Sequence, residues 1–136
     1  MRVLVDTSVW SEALRKAGRA ASSVAGELRH LVLERRVEII GPIRQELLSG
    51  LREDVQFRKL ESHLAAFPDL ALNKDDYVMA AKFFNICRKN GVQGSNTDFL
   101  ICAVAARREM SVYTTDKDFE LFAKHLPVVL HEARTS

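Results

Sequence analysis

Apolar residues follow two alternating patterns along this chain of 136 residues. Short apolar runs, typical of buried strands, occur at residues 2–5, 37–40, 111–114 and 128–130. Between these runs, apolar residues recur at helical spacing, as at Val24, Leu28 and Leu31. The alternation of strands and helices predicts an α/β fold with a mostly parallel central sheet flanked by helices on both faces.

Residues that commonly start or stop helices divide the chain into helical segments. Asn73 is placed to cap one helix and Gly91 to end it, while Pro42 suits a first helical turn and Gly50 a stop. The predicted helices cover roughly residues 9–15, 24–36, 42–49, 53–67 and 74–90, a helix that starts near residue 98 and includes residue 105, and a short helix at residues 119–123.

Length and composition indicate one ordinary globular domain over residues 1–136. The chain has only 3 Pro and 6 Gly, and its net charge of +2 permits nucleic-acid binding without implying it. Cys87 and Cys102 lie among apolar residues, so we expect buried free thiols in a reducing, cytoplasmic compartment. The longest apolar run, residues 99–106, is far shorter than the ~20 residues that span a bilayer, so no membrane is expected.

Four acidic residues stand where the predicted fold needs no charge. Asp6 and Asp116 each follow an apolar strand, Glu46 adjoins two leucines, and Asp98 opens a very apolar helix. In parallel sheets, sites gather beyond the carboxyl ends of the strands. Clustered carboxylates repel one another unless a cation joins them, and Mg²⁺ is held by a few carboxylates plus water. Two such cations ~4 Å apart can activate a water against a phosphodiester.

Each acid also has a purely structural explanation. Asp6 and Asp116 suit helix caps or turns, Asp98 suits the positive end of a helix, and Glu46 suits a solvent-facing helical position. Asp118 is the most ambiguous, because it can cap the last helix. Only the set of four favours a cation site.

The segments around these acids resemble the PIN-domain proteins, and in particular the VapC toxins of VapBC toxin–antitoxin modules. The matching segments are VLVDTSVW at residues 3–10, ELLSG at 46–50, NTDFLICA at 96–103 and TTDKDF at 114–119. Each segment alone is a weak signal, but the ordered set covers nearly the whole chain.

The resemblance implies a PIN-like, Rossmann-like three-layer sandwich and a metal-dependent endoribonuclease that uses Mg²⁺, with Mn²⁺ as a substitute. Asp6, Glu46, Asp98 and Asp116 take the metal-ligand roles, and Asp118 is a further candidate as an outer ligand. The partners that it implies are an RNA substrate, a VapB-type antitoxin and a second copy of the chain in a homodimer.

Several other residues are predicted to support this site. Thr7 and Ser8 are expected to orient Asp6, and Thr114 and Thr115 to orient Asp116. The cations that follow the acids closely, Arg15, Lys16 and Lys117, are expected at the rim, where they would hold phosphates. Trp10 is expected in the core, and the four histidines show no metal-ligand spacing.

Three other functions compete with the toxin. A strand-end Asp can form an aspartyl-phosphate, but the position two residues after Asp6, where one such phosphatase family has a second Asp, is Ser8. A PIN nuclease of RNA processing and a non-catalytic RNA- or partner-binding PIN module are the alternatives within the family.

Overall fold

The computed structural model describes residues 1–15 and 22–134. In these residues it has three strands and seven helices in α/β order, which confirms the predicted fold class. The strands are β1 (Val3–Val5), β2 (Val37–Glu38) and β3 (Ser111–Tyr113). The helices are α1 (Thr7–Arg15), α2 (Ser23–Leu33), α3 (Gly41–Leu48), α4 (Asp54–Leu64), α5 (Lys74–Lys89), α6 (Asn96–Arg107) and α7 (Asp118–Ala123).

The sheet is parallel, with β1 between β2 and β3. Val3 pairs with Ser111 and Val5 with Tyr113, so β1 and β3 end side by side. All three residues of β1 are fully buried. Because successive side chains of a strand point to opposite faces, both faces of the sheet are covered.

The predicted final strand at residues 128–130 is wrong. That segment forms only an isolated parallel bridge, in which Val112 N donates to Val129 O and His131 N donates to Val112 O. The second strand is also shorter than predicted, because Ile39 leaves β1 and forms an isolated bridge with Asp69.

Helix boundaries follow the capping residues closely. Asn73 caps α5 and Ser95 caps α6, each in a capping box with the acid three residues later. Gly50 and Gly91 adopt positive φ just beyond α3 and α5. Helix α2 ends before the predicted residue 36, because Arg35 adopts a left-handed conformation with φ of 58°.

An aromatic cluster fixes the entry to α6. Phe99 packs on Phe122 with ring centroids 4.9 Å apart, and Phe122 packs on Phe119 at 5.1 Å. Gly94 passes so close to this cluster that a Cβ there would lie 2.6 Å from Phe122 Cζ. Only a residue without a side chain fits this position with the rings as they are.

Helices α5 and α6 are joined by a buried carboxylate. Asp76 is fully buried, and its Oδ1 accepts hydrogen bonds from Arg107 and Arg108, both at 2.5 Å. Its Oδ2 accepts from Arg108 at 2.9 Å and from the Asn73 amide at 2.8 Å. These two arginines are therefore structural.

A second buried acid attaches the segment after residue 130 to α2. Glu27 is 3% exposed, and its Oε2 lies 2.5 Å from His131 Nε2. Arg134 Nε lies 2.8 Å from Glu27 Oε1, and the same guanidinium pairs with Glu34. We name the contacts of Glu27 with His131 and Arg134 the Glu27 clasp.

The remaining expectations concern the core. Cys87 and Cys102 are free and buried, as predicted. Trp10 is 5% exposed and packs edge-on against Phe67, which confirms its expected core position. Among the described residues, no helix combines the length and apolarity that crossing a membrane requires.

Candidate active site

Asp6 lies directly beyond β1, at the edge where β1 and β3 end. Its amide donates to the carbonyl of Tyr113 at 2.9 Å, which continues the parallel register. The side chain is only 6% exposed. Its Oδ2 accepts hydrogen bonds from the hydroxyls of Ser8 and Thr114, both at 2.8 Å. Asp6 is therefore oriented by hydroxyl groups from α1 and from the residue after β3.

Thr114 links Asp6 to Asp116. Its hydroxyl donates to Asp6 and accepts from the Asp116 amide at 3.0 Å. Asp116 in turn accepts, through Oδ1, a hydrogen bond from the Asp118 amide at 2.9 Å. The structure thus gives Asp116 the local turn role that its sequence position suggested. Asp118 contacts it through the backbone, with its own side chain exposed.

Asp98 reaches the same region from the first turn of α6. Its Oδ2 accepts from the Ser95 amide at 3.0 Å, and its own amide donates to Ser95 Oγ at 3.1 Å. Burial raises the pKa of Asp98, against these hydrogen bonds, and the charges of Asp6 and Asp116 raise it further. The charges of Asp6 and Asp116 therefore act on the Asp98 carboxylate.

Glu46 stands apart from these three acids, on the exposed side of α3. Its Oε1 accepts a hydrogen bond from Thr7 Oγ1 at 2.7 Å. Thr7 was predicted to orient Asp6, but the structure gives it Glu46 as partner. Because Thr7 directly follows Asp6, this hydrogen bond connects Glu46 to the edge of the sheet where β1 ends.

The four acids share one arrangement of their oxygens. Each carboxylate uses one oxygen to accept a hydrogen bond from the protein. Within residues 1–15 and 22–134, the second oxygen of each accepts none, and no ion pair involves any of the four. Asp76 and Glu27, by contrast, are each paired with arginine. The site carries negative charge that the described part of the chain does not neutralise.

This arrangement suits a cation that keeps much of its water. Among the described residues, no three His, Cys, Asp or Glu side chains form a ready metal cage. Mg²⁺ is usually bound through one or two carboxylates and several waters rather than by an all-protein cage. The free oxygens of Asp6, Asp98 and Asp116 fit that hard, hydrated cation, and Mn²⁺ takes the same oxygen ligands.

The remaining residues predicted to support the site are Thr115 and the three cations expected at its rim. The Thr115 side chain is exposed, and its contact with the site is a hydrogen bond from its amide to Ser8 Oγ at 3.0 Å. Lys117 is exposed beside Asp116. Lys16 and the side chain of Arg15 lie outside the described residues.

Sequence reasoning did not identify Ser95 as the residue that holds Asp98. The signal was present, because Ser95 and Asp98 have the spacing of a capping box. It also did not identify a cavity of about 200 Å³ beside Asp116, because its walls come from distant parts of the chain.

Comparisons with known proteins identify the family and the fold of this chain. The family model for the PIN domain matches residues 3–125. The ribonuclease VapC11 of Mycobacterium tuberculosis is 34% identical over 128 residues, which cover 90% of this chain and 92% of that protein. The chain is also similar to a chain of VapBC2 from Rickettsia felis, solved with a promoter DNA fragment, with a TM-score of 0.79 and 18% identity over 96% of this chain and 98% of that one. A chain of FitAcB from Neisseria gonorrhoeae gives a TM-score of 0.76 and 22% identity over 96% and 97%.

Proposed function

The chain belongs to the PIN-domain family, and from that premise we propose that it is a VapC-type endoribonuclease, the toxin of a toxin–antitoxin module. Its 34% identity to proteins named VapC ribonuclease, over nearly their full length, supports RNA as the substrate. The proposed ligands of its Mg²⁺ or Mn²⁺ are Asp6, Glu46, Asp98 and Asp116, with Asp118 as an outer candidate.

One observation carries this proposal. Each of the four acids is oriented through one oxygen and leaves the other without a protein donor in the described residues. A purely structural acid, such as Asp76, has both of its oxygens satisfied. Asp6, Asp98 and Asp116 leave free oxygens near the ends of β1 and β3, where a cation would relieve their repulsion, and Thr7 links Glu46 to that edge.

The proposed reaction is hydrolysis of an RNA phosphodiester. When bound, the cation lowers the pKa of a water and neutralises charge on the phosphate. Attack of water on phosphorus breaks the bond to the 3′ oxygen, which takes a proton, and the products carry 5′-phosphate and 3′-hydroxyl ends. The Ser8 and Thr114 hydroxyls hold Asp6 throughout, and Lys117 lies where it can pair with a phosphate of the RNA.

Metal removal tests the proposed activity. We expect purified protein to cut single-stranded RNA with Mg²⁺ or Mn²⁺, to lose that cleavage completely in EDTA, and to regain it when metal is restored. Gel analysis measures the cleavage, and phosphatase-dependent end labelling identifies the 5′-phosphate. Cleavage that persists in EDTA contradicts the metal site, and metal-independent RNA binding without cleavage favours the non-catalytic binding module.

An antitoxin partner is part of the proposal. A cavity of about 380 Å³ lies between the end of α2 and the segment after α4, lined in part by Val32, Ala66 and Phe67. Val55 on α4 is 69% exposed, although Leu64 and Phe67 of the same stretch pack in or against the core. This surface is where we place an apolar segment of a VapB-type protein. We also propose a cytoplasmic site of action.

A homodimer is the second assembly that we propose. Tyr77 on α5 is 53% exposed and lines a cavity of about 280 Å³ together with Ala80, Ala81 and Leu100. Exposed apolar area of this kind favours a protein interface. Light scattering should give the mass of two chains, Tyr77→Glu should give one, and the control Leu121→Glu should leave the dimer intact. A monomeric wild type contradicts the homodimer.

The same light-scattering measurement tests the antitoxin partner. If adding a candidate VapB protein leaves the mass unchanged, that partner is contradicted.

A further inference from the structure

The cavity beside Asp116 is continuous with the acidic site. Its volume is about 200 Å³, and its lining comes from residues 114–117, Glu120 on α7 and residues 130–132. Thr114 and Asp116 belong to both the cavity and the site, because Thr114 also donates to Asp6. The cavity is smaller than the ~300–1,000 Å³ of drug-sized ligand sites, which suits one planar ring system.

The lining combines acceptors, one cation and apolar surface. Glu120, Glu132 and Lys117 line the cavity, and among the described residues none of them forms an ion pair. Leu130 and His131 complete the lining. The carboxylates can accept hydrogen bonds from a ligand, and the ammonium can pair with a phosphate.

The wall formed by residues 130–132 is held rigidly although it is not a strand. The Glu27 clasp fixes His131 and Arg134, and the His131 ring stands edge-on to Tyr113 at a centroid distance of 5.3 Å. The His131 amide also donates to Val112 O at 2.8 Å. A wall fixed from three directions can discriminate between ligands by shape and hydrogen bonding.

We propose that this cavity holds one unpaired nucleobase of the RNA, next to the bond that is cut, and that it favours guanine. The inference rests on the proposed nuclease function. Unpaired bases are recognised through stacking and through hydrogen bonds to their Watson–Crick edges. Guanine presents two adjacent N–H donors on that edge, which suits the Glu120 and Glu132 carboxylates. Uracil presents one N–H between two carbonyl oxygens, which those carboxylates repel.

Nucleotide binding tests the cavity without any cleavage. Amide NMR spectra of the protein in EDTA are recorded during titration with guanosine 5′-monophosphate and with uridine 5′-monophosphate. We expect saturable shifts at residues 114–117 and 130–132, with guanosine monophosphate binding about fivefold or more tightly, the lower end for a good paired contact to a base. Shifts that fall elsewhere, or equal affinities for the two nucleotides, overturn the proposal whether or not the protein is a nuclease.

Cleavage of a randomised single-stranded RNA pool supplies the second measurement. The wild type should favour guanine at one position beside the cut, and Glu120→Gln and Glu132→Gln should each weaken that preference severalfold. Both residues are exposed, so the variants should fold, and Glu61→Gln on α4 is the matched control. An unchanged preference in both variants overturns the proposal. Absence of all cleavage with guanosine monophosphate still bound contradicts the nuclease instead.

Discussion

The variant Asp98→Asn is expected to lose RNA cleavage by more than about 100-fold, which exceeds the usual cost of removing a residue that only supports a metal ligand. The substitution removes the charge that we assign to the cation. It keeps an oxygen that can accept from the Ser95 amide, so the capping box at the start of α6 survives. Initial rates with saturating Mg²⁺, together with a thermal unfolding curve, separate lost activity from lost structure.

Two comparisons make this result specific. Asp54→Asn changes another acid in a first helical turn, which pairs only with Arg58 on the surface, and should cleave at the wild-type rate. Thr114→Val removes the hydroxyl that links Asp6 and Asp116 and should cost an intermediate 10- to 100-fold, on the order expected for a supporting residue. A folded Asp98→Asn protein that retains more than about a tenth of the wild-type rate contradicts the ligand role, because the expected loss is at least tenfold larger.

The variant Asp76→Ala is expected to lower the free energy of unfolding by about 3–5 kcal/mol, the usual cost of leaving a buried charge without its partner. The fully buried Asp76 carboxylate is the common acceptor for Arg107 and Arg108. Urea unfolding followed by circular dichroism measures the loss. Its neighbour Asp75 is the matched control, since it is exposed and 3.9 Å from Arg107, and Asp75→Ala should cost less than about 1 kcal/mol. Equal losses in the two variants contradict this role of Asp76.

The Asp76 carboxylate also makes the free energy of unfolding depend on pH. Hydrogen bonds from Arg108 are the largest cause that holds the pKa of Asp76 well below its ordinary value, despite burial. The stabilisation is therefore fully present above about pH 4, and is lost as the pH falls further and the unfolded chain takes up a proton that the native state does not. The wild type should lose stability below about pH 4 more steeply than Asp76→Ala, and parallel curves contradict this.

The sequence predicted the fold class and the positions of Asp6 and Asp116 after strands because both depend on local patterns. Apolar runs indicate buried strands, and parallel strands bring the residues after β1 and β3 to one edge. Asp6 and Asp116 therefore had to be neighbours once β1 and β3 paired. Asn73 and Gly91 likewise act within a few residues of their own position, so their capping roles were predictable.

The features that sequence reasoning missed are contacts between distant residues. Glu27 meets His131 across 104 positions and Asp76 meets Arg108 across 32, and nothing in the local spacing predicts either pair. Residues 128–130 have the composition of a strand, yet they pair with β3 through one isolated bridge only, because strand formation needs a continuous partner as well as propensity. The ligand roles of the four acids remain predictions for the experiments above.

The close approach of Gly94 to Phe122 couples the stability of the core to the position of Asp98. Gly94 immediately precedes Ser95, which holds Asp98, so the same ring that fills the core also sets where that acid stands. A change in the aromatic cluster therefore alters stability and acid placement together. Any substitution that repacks Phe122 must therefore accommodate the start of α6 as well.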